Sequence, residues 1–305
     1  MSDSAASDRK APSEGKLVAW LMVMIFFWSL NFVISKIALR ELPALFIVGI
    51  RNLVAGLVVL PLYLWERRTQ GPATWTWQQL PILFFLGFLG IAMNQLLFVL
   101  GIERTTVAHA AVILGLAPVS TLLIAILMGQ ERMNGKRLIG MAIAIAGIGV
   151  LQLAHAAENG GKQSSLVGDF FIYCAGIAYA LFTVLGRKYT RQHSSITMNA
   201  IAYVGSGLTL LPLSFIAAQG LDLYAISWRA WASVFYMAAF SSVAGYLILY
   251  WVLRWMPASR VGMYVYAQPV MATVLGILLL HESPGAALYA GGALVLAGVL
   301  VSERL

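Results

Sequence analysis

Long uncharged stretches alternate with short polar breaks along almost the whole chain. Leu17 to Ser35 runs nineteen residues without a charged side chain. As a helix, that length spans a hydrocarbon layer of about 30 Å. Ten apolar segments can be marked, at residues 17–39, 44–65, 80–102, 106–128, 137–154, 166–189, 196–218, 230–253, 259–280 and 285–303. The loops between them are short, the longest being 66–79 and 155–165, and the latter is the Gly/Ser-containing run HAAENGGKQSS. The pattern predicts an all-α integral membrane fold of ten transmembrane helices. The polar residues 1–16 read as a disordered cytoplasmic tail without a signal-peptide pattern.

Composition agrees with the pattern. Of 305 residues, 60% are hydrophobic and 10% charged, against about 25% charged in a soluble domain. Too few polar residues remain to cover a water-soluble core. The formal charge of +8 invites thoughts of nucleic acid, but the basic residues sit in short loops where topology explains them. With the N-terminus in the cytoplasm, fourteen Lys and Arg fall on the cytoplasmic side and five on the other. That bias predicts that both termini are cytoplasmic. Cys174 is the single cysteine, so an internal disulfide is ruled out.

The chain also repeats itself. At a shift of 151 residues the halves align without a gap: Pro61 falls on Pro212, Pro118 on Pro269, Glu131 on Glu282, Gly140 on Gly291 and Gly147 on Gly298. Trp77 meets Trp228, Gly56-Leu57 meets Gly207-Leu208, and Trp28 meets Tyr179. The halves run over 17–154 and 166–305, with 155–165 between them. Each holds an odd number of helices, five, so the second enters the membrane from the opposite face. Inverted repeats of this kind recur in secondary transporters, with the substrate site near the midplane.

The segments ERTTVAHAAVILGLAPVSTLLIAILMGQERMNGKRLIG and MPASRVGMYVYAQPVMATVLGILLLHESPGAALYAGG both carry a mid-segment Pro, then a Glu, then a Gly. With FFWSLNFVISKIAL and GIRNLVAGLVVLPLY before them, they resemble a tandem EamA-type protein of the drug/metabolite transporter superfamily. The resemblance runs from Leu17 to the C-terminus. It implies a ten-helix exporter of amino acids or related amphipathic metabolites, multi-pass in a bacterial inner membrane, and not an enzyme. The second half departs from the first where Arg51 becomes Ala202 and where His281 precedes Glu282.

Candidate substrate-binding residues are polar or aromatic groups deep in apolar segments. Trp28 is the one tryptophan near mid-segment; the other eight lie toward segment ends, as interfacial belts do. Asn31 follows Trp28 by one turn, and their repeat mates are Tyr179 and Phe182. Asn94 and Gln95 lie well inside the third segment, where a buried amide costs energy unless bonded. Tyr246 and Tyr250 share a face of the eighth segment, and Tyr264 and Gln268 a face of the ninth. The alternative for each is a packing residue whose polar group bonds a neighbouring carbonyl. Ionisable groups at membrane depth are functional candidates by default. His109 is one, as a pH sensor, substrate ligand or satisfied structural histidine. Arg51 reads as a structural charge that caps carbonyls or pairs an acid, with a substrate carboxylate as its other reading. Pro118 and Pro269, inside their segments, are candidate gating bends. The Gly140/Gly147 and Gly291/Gly298 pairs suit close helix packing within the chain or between the copies of a homodimer.

Several absences narrow the mechanism. The sequence has no Walker loop for ATP and no metal-ligand spacing, so no cofactor or metal is expected. No carboxylate stands at mid-membrane depth, which leaves proton coupling through His109, exchange and facilitated transport open. The expected partners are a small-molecule substrate and the lipid bilayer. A membrane-embedded enzyme would need a nucleophile–base pair, and Ser29, Ser120 and Thr121 have no evident histidine. A receptor would not need inverted repeats.

Overall fold

Hydrocarbon offers no partner for backbone N–H and C=O groups, so an apolar run there must bond within itself as a helix. A computed structural model describes residues 12–70, 75–102, 104, 113–114, 116–132, 134–158, 166–280 and 286–303, and among them all regular structure is helical. The helices of the first half are α1 (Glu14–Ala38), α2 (Ala44–Gln70), α3 (Leu80–Ile102), α4 (Ala117–Leu127) and α5 (Gly135–Glu158). Those of the second are α6 (Leu166–Gln192), α7 (Ser195–Ala217), α8 (Trp228–Leu253), α9 in two pieces (Ala258–Val265, then Ala267–Leu280) and α10 (Ala286–Glu303). Six of them, α1 to α3 and α6 to α8, contain a stretch long and apolar enough to cross a membrane. Leu57, Trp65, Phe170, Leu208 and Phe215 are each more than 60% exposed. Large apolar side chains turned outward in such number suit lipid rather than water.

Two of the predicted segments are not continuous helices. Over 106–128 the chain turns at Leu116, between helical residues 113–114 and the helix that starts at Ala117, and over 259–280 it turns at Tyr266 between the two pieces of α9. Pro118 and Pro269 therefore stand in the first turns of helices rather than bending their middles. The first turn tolerates proline because the missing N–H would have no partner there. Upstream the chain tightens: Leu116 N donates to Ile113 O at 3.0 Å and Tyr266 N to Met263 O at 3.2 Å. Pro61 and Pro212, by contrast, remain inside continuous α2 and α7.

The halves meet through exchanged contacts. Helix α1 packs on α8 and α9, as α6 packs on α3 and α4; α2 packs on α8 as α7 packs on α3. Two helix pairs, α2 with α7 and α5 with α10, are their own counterparts. Glycines set both. A Cβ on Gly147 would come within 2.7 Å of Gly291 O, and one on Gly298 within 2.5 Å of Gly140 O. Gly56 lies against the Val204 backbone and Gly207 against that of Leu53 in the same reciprocal way.

Polar residues tie one end of the bundle. Helix α4 closes with Gly129 at a φ of 67°, while Gln130 N donates to Ala125 O at 2.8 Å and Gly129 N to Ile126 O at 2.9 Å. This Schellman geometry delivers Glu131, which accepts from Arg137 Nη1 at 3.0 Å and from the Ser259 hydroxyl. Arg254 Nε donates to Thr190 O at 2.5 Å and its Nη2 to His193 O. Glu66 accepts from Ser194 Oγ at 2.5 Å, and Ser194 caps α7 by accepting from Thr197 N at 2.9 Å. At the other end Glu41 bonds Ser227, the cap of α8, through both its N–H and its hydroxyl, at 2.7 and 2.6 Å. Those bonds hold the Glu41 carboxyl below its usual pKa.

One pH effect follows. His193, in the turn between α6 and α7, is buried, and burial, reinforced by the Arg254 charge, lowers its pKa below 6.5. The folded state thus disfavours the imidazolium that the unfolded chain forms readily. The stability that neutral His193 permits is full above pH 6.5 and declines as pH falls toward the lowered folded value. The thermal midpoint in detergent should fall between pH 7.5 and pH 5.5, roughly bracketing the ordinary histidine range, and His193→Gln should flatten that fall. An equally steep fall in the variant would assign it elsewhere.

Candidate functional site

Two widened turns organise the centre of the bundle. Helix α3 opens into a π-helical stretch at Phe88–Met93 and α8 at Met237–Ala244, and the two end at equivalent points of the repeat. Such turns loosen the ordinary i to i+4 ladder and gather at functional sites. Here their carbonyls accept side chains from elsewhere. Trp28 Nε1 donates to Ser241 O at 2.9 Å, Asn199 Nδ2 to Val243 O at 2.9 Å, and the Tyr246 hydroxyl to Gly90 O at 3.1 Å. Helices α1 and α7 are thereby pinned to α8, and α8 to α3.

Aromatic rings fill the space between these turns. Tyr246 is the hub, with Trp28, Phe182, Tyr203 and Tyr250 at centroid distances of 5.7, 6.1, 5.8 and 6.1 Å. Trp28 meets its repeat mate Tyr179 edge-on at 6.1 Å. Glycine makes room for two of these rings. A Cβ on Gly90 would lie 2.1 Å from Phe182 Cγ, and one on Gly245 would lie 2.6 Å from Trp28 Nε1.

Beside the rings stands a polar row from α2, α3 and α8. Asn52 Nδ2 donates to Gln95 Oε1 at 2.9 Å and to Val48 O at 2.7 Å, while its Oδ1 is buried without a partner. The Tyr203 hydroxyl approaches Gln95 and Ser242 without reaching hydrogen-bond geometry. Arg51 Nε donates to Ser242 Oγ at 2.9 Å. Arg51 is tied in this way to the π turn of α8, and its side chain is only half-buried. No carboxylate among the described residues pairs with it, and its remaining N–H groups have no protein acceptor there. Burying such a charge costs several kcal/mol, and one hydrogen bond returns roughly 1.5–3 kcal/mol. The difference is available to an anionic group that reaches the guanidinium.

The candidates from the sequence separate into groups. Trp28, Tyr179 and Tyr246 come together, while Gln95 bonds Asn52 on α2. Phe182 and Tyr250 are fully buried; they back the aromatic wall rather than line an opening. Asn94 and Gln95, though adjacent, diverge: Asn94 Nδ2 donates to Ala175 O at 2.8 Å on α6, which makes it a strut. Asn31 keeps a buried Oδ1 without a partner. Tyr264 and Gln268 fall on opposite sides of the break in α9, so they do not share one helical face; Ser29 Oγ bonds the Gln268 carbonyl at 3.1 Å. Among the described residues Arg51 neither caps a carbonyl nor pairs an acid, its one hydrogen bond going to Ser242 Oγ. His109 lies outside the described residues, as does Glu282.

Sequence reasoning missed Asn52, Asn199, Tyr203 and Ser242. Asn52 had a readable signal, a second polar residue beside Arg51 in an apolar run whose repeat mate is Tyr203. Asn199 and Ser242 had none, because their part depends on the π turns.

The fold and this centre define a multi-pass helical membrane protein made of two like halves around a polar, aromatic-walled interior. The chain belongs to the EamA-like transporter family, which matches residues 15–153 and again 166–303. It is similar to an uncharacterized transporter of Archaeoglobus fulgidus, 27% identical over 93% of this chain and 97% of that one. The uncharacterized transporter YdeK of Bacillus subtilis is 29% identical over 96% and 98% of the two chains. A probable amino-acid metabolite efflux pump of Salmonella typhimurium is 25% identical over 92% of each. One crystal structure shares the fold with a TM-score of 0.79 at 16% identity, covering 96% of this chain and 98% of its own.

Proposed function

We propose that this protein is a secondary exporter of amino acids or closely related amphipathic carboxylates, working by alternating access in a bacterial inner membrane. The reading comprises ten spans in two inverted five-helix halves, with both termini cytoplasmic. The exchanged contacts between halves support it, because two like halves related in this way can trade conformations and open one site to either side. So do the breaks in α9 and before α4, since discontinuous helices suit moving parts.

The observation that carries the substrate class is Arg51: a half-buried cation within α2 whose one hydrogen bond, to Ser242 Oγ, leaves N–H donors unspent. A carboxylate would satisfy the guanidinium fork, and Trp28 with Tyr179 would flank the apolar part. Trp28 and Arg51 are anchored one residue apart, on Ser241 and Ser242. The reading draws on the Salmonella relative for amino-acid efflux.

The test is transport of a labelled amino-acid panel in proteoliposomes. At least one member should move faster than through protein-free vesicles; if none does, the reading fails. Trp28→Ala should slow that solute about two- to tenfold, the size of one aromatic contact. Gly245→Ala, whose methyl would collide with the Trp28 ring, should reproduce the defect without touching substrate.

A further inference from the structure

We propose that the outer face of α2, α3 and α7 holds an anionic phospholipid, with its phosphate at Arg67 and one acyl chain in a cleft below. The cleft measures about 520 Å³ and is almost wholly apolar. Leu60, Phe84 and Leu208 are among its walls. Gly205 deepens it: a Cβ there would lie 2.7 Å from the Phe84 ring, which lies down where that side chain would be. Lining residues on α7 run from Ala200 to Leu208, about 12 Å of helix and close to the depth of one leaflet, roughly half of 30 Å.

One end of the cleft has the chemistry of a membrane–water boundary. Trp75 and Trp77 meet edge-on at 5.6 Å, and Trp75 Nε1 donates to the Tyr63 hydroxyl at 3.2 Å. The Arg67 guanidinium lies 5.8 Å over the Tyr63 ring, and its Nη1 is buried without a hydrogen-bond partner. Arg68 follows, exposed. A phosphate oxygen would pair with the accessible side of the half-buried Arg67 guanidinium and place the glycerol at the level of the two indoles. The equivalent positions of the second half offer no such end, since Arg67, Arg68 and Tyr63 are replaced there by Ala218, Gln219 and Ser214. The anion chemistry is therefore particular to the first half, which ordinary solvation by lipid tails does not require.

The experiment is native mass spectrometry of the purified full-length protein with equimolar phosphatidylglycerol and phosphatidylcholine. Phosphatidylglycerol should be retained in preference. Arg67→Gln/Arg68→Gln should retain about tenfold less of it, the size of one charge-assisted contact. Leu208→Trp, which fills the cleft and leaves every charge in place, should lower retention too. Circular dichroism and a monodisperse elution profile establish that the variants are folded, and a variant that fails them is replaced by Arg67→Met or Leu208→Phe. Equal retention of the two lipids, unchanged retention in either variant, or displacement by inorganic phosphate alone would overturn the proposal.

Discussion

Arg51→Gln should cut transport of carboxylate-bearing solutes by about ten- to a hundredfold, while the protein stays as stable as the parent or becomes more so. The two halves of this expectation have one cause. In the folded protein Arg51 is half-buried, with Ser242 Oγ as its one described hydrogen-bond partner, so its desolvation is only partly offset. Glutamine removes the charge and can still bond a hydroxyl, which relieves that cost. A bound carboxylate loses a charge-assisted contact of roughly 1.5–3 kcal/mol, which is about the stated factor in affinity. Arg51→Lys should fall between, because a point charge on a flexible stem cannot present the guanidinium fork. Transport in proteoliposomes and the unfolding midpoint in detergent, measured on the same preparations, check both halves. If Arg51 were instead a structural charge, the midpoint would drop along with transport, and carboxylate and uncharged solutes would slow equally.

Much of this architecture was legible before any coordinates. A run such as Leu17 to Ser35 can do little else than cross a membrane, and the 151-residue register put Gly147 and Gly298 at equivalent places on α5 and α10 as packing residues, within the chain or between copies; their meeting in one helix pair came from the structure. Trp28 stood out because a lone indole far from the interfacial belts needs a reason, and its hydrogen bond to Ser241 supplies one. What stayed hidden depends on backbone geometry rather than residue type. A π turn leaves no periodic mark in a helix that is apolar all round, so the carbonyls of Gly90, Ser241 and Val243 could not be foreseen as acceptors. Nor could the separation of Asn94 from Gln95, since neighbours on a helix point about 100° apart and only packing tells which partner each meets. Phe182 misled for a related reason. Its ring rests on Gly90 in the other half, a contact that no local pattern encodes. Pro118 and Pro269 were found by position, but whether a proline bends a helix or starts a new one depends on what packs against the freed carbonyls.

The largest expected loss of stability lies in the α5–α10 pair. Gly298→Ala should lower the unfolding midpoint, and Gly298→Leu should lower it further, although alanine favours helix over glycine by about 0.5–1 kcal/mol. The clash decides the sign. A Cβ on Gly298 would lie 2.5 Å from Gly140 O and 2.6 Å from Ala144 N, and both are backbone atoms that move only if the helices part. Overpacking of this kind costs typically about 1–3 kcal/mol, more than the propensity gain. Gly149→Ala is the internal control, since nothing lies within 4 Å of its absent Cβ; there the propensity gain acts alone and the midpoint should rise. Gly147→Ala should resemble Gly298→Ala, because the two glycines make reciprocal contacts. The double variant should then cost less than the sum of the singles: once one methyl has spread the helices, the second finds the space already open. Additive losses would mean instead that each site relaxes locally and that α5 and α10 do not move as rigid bodies.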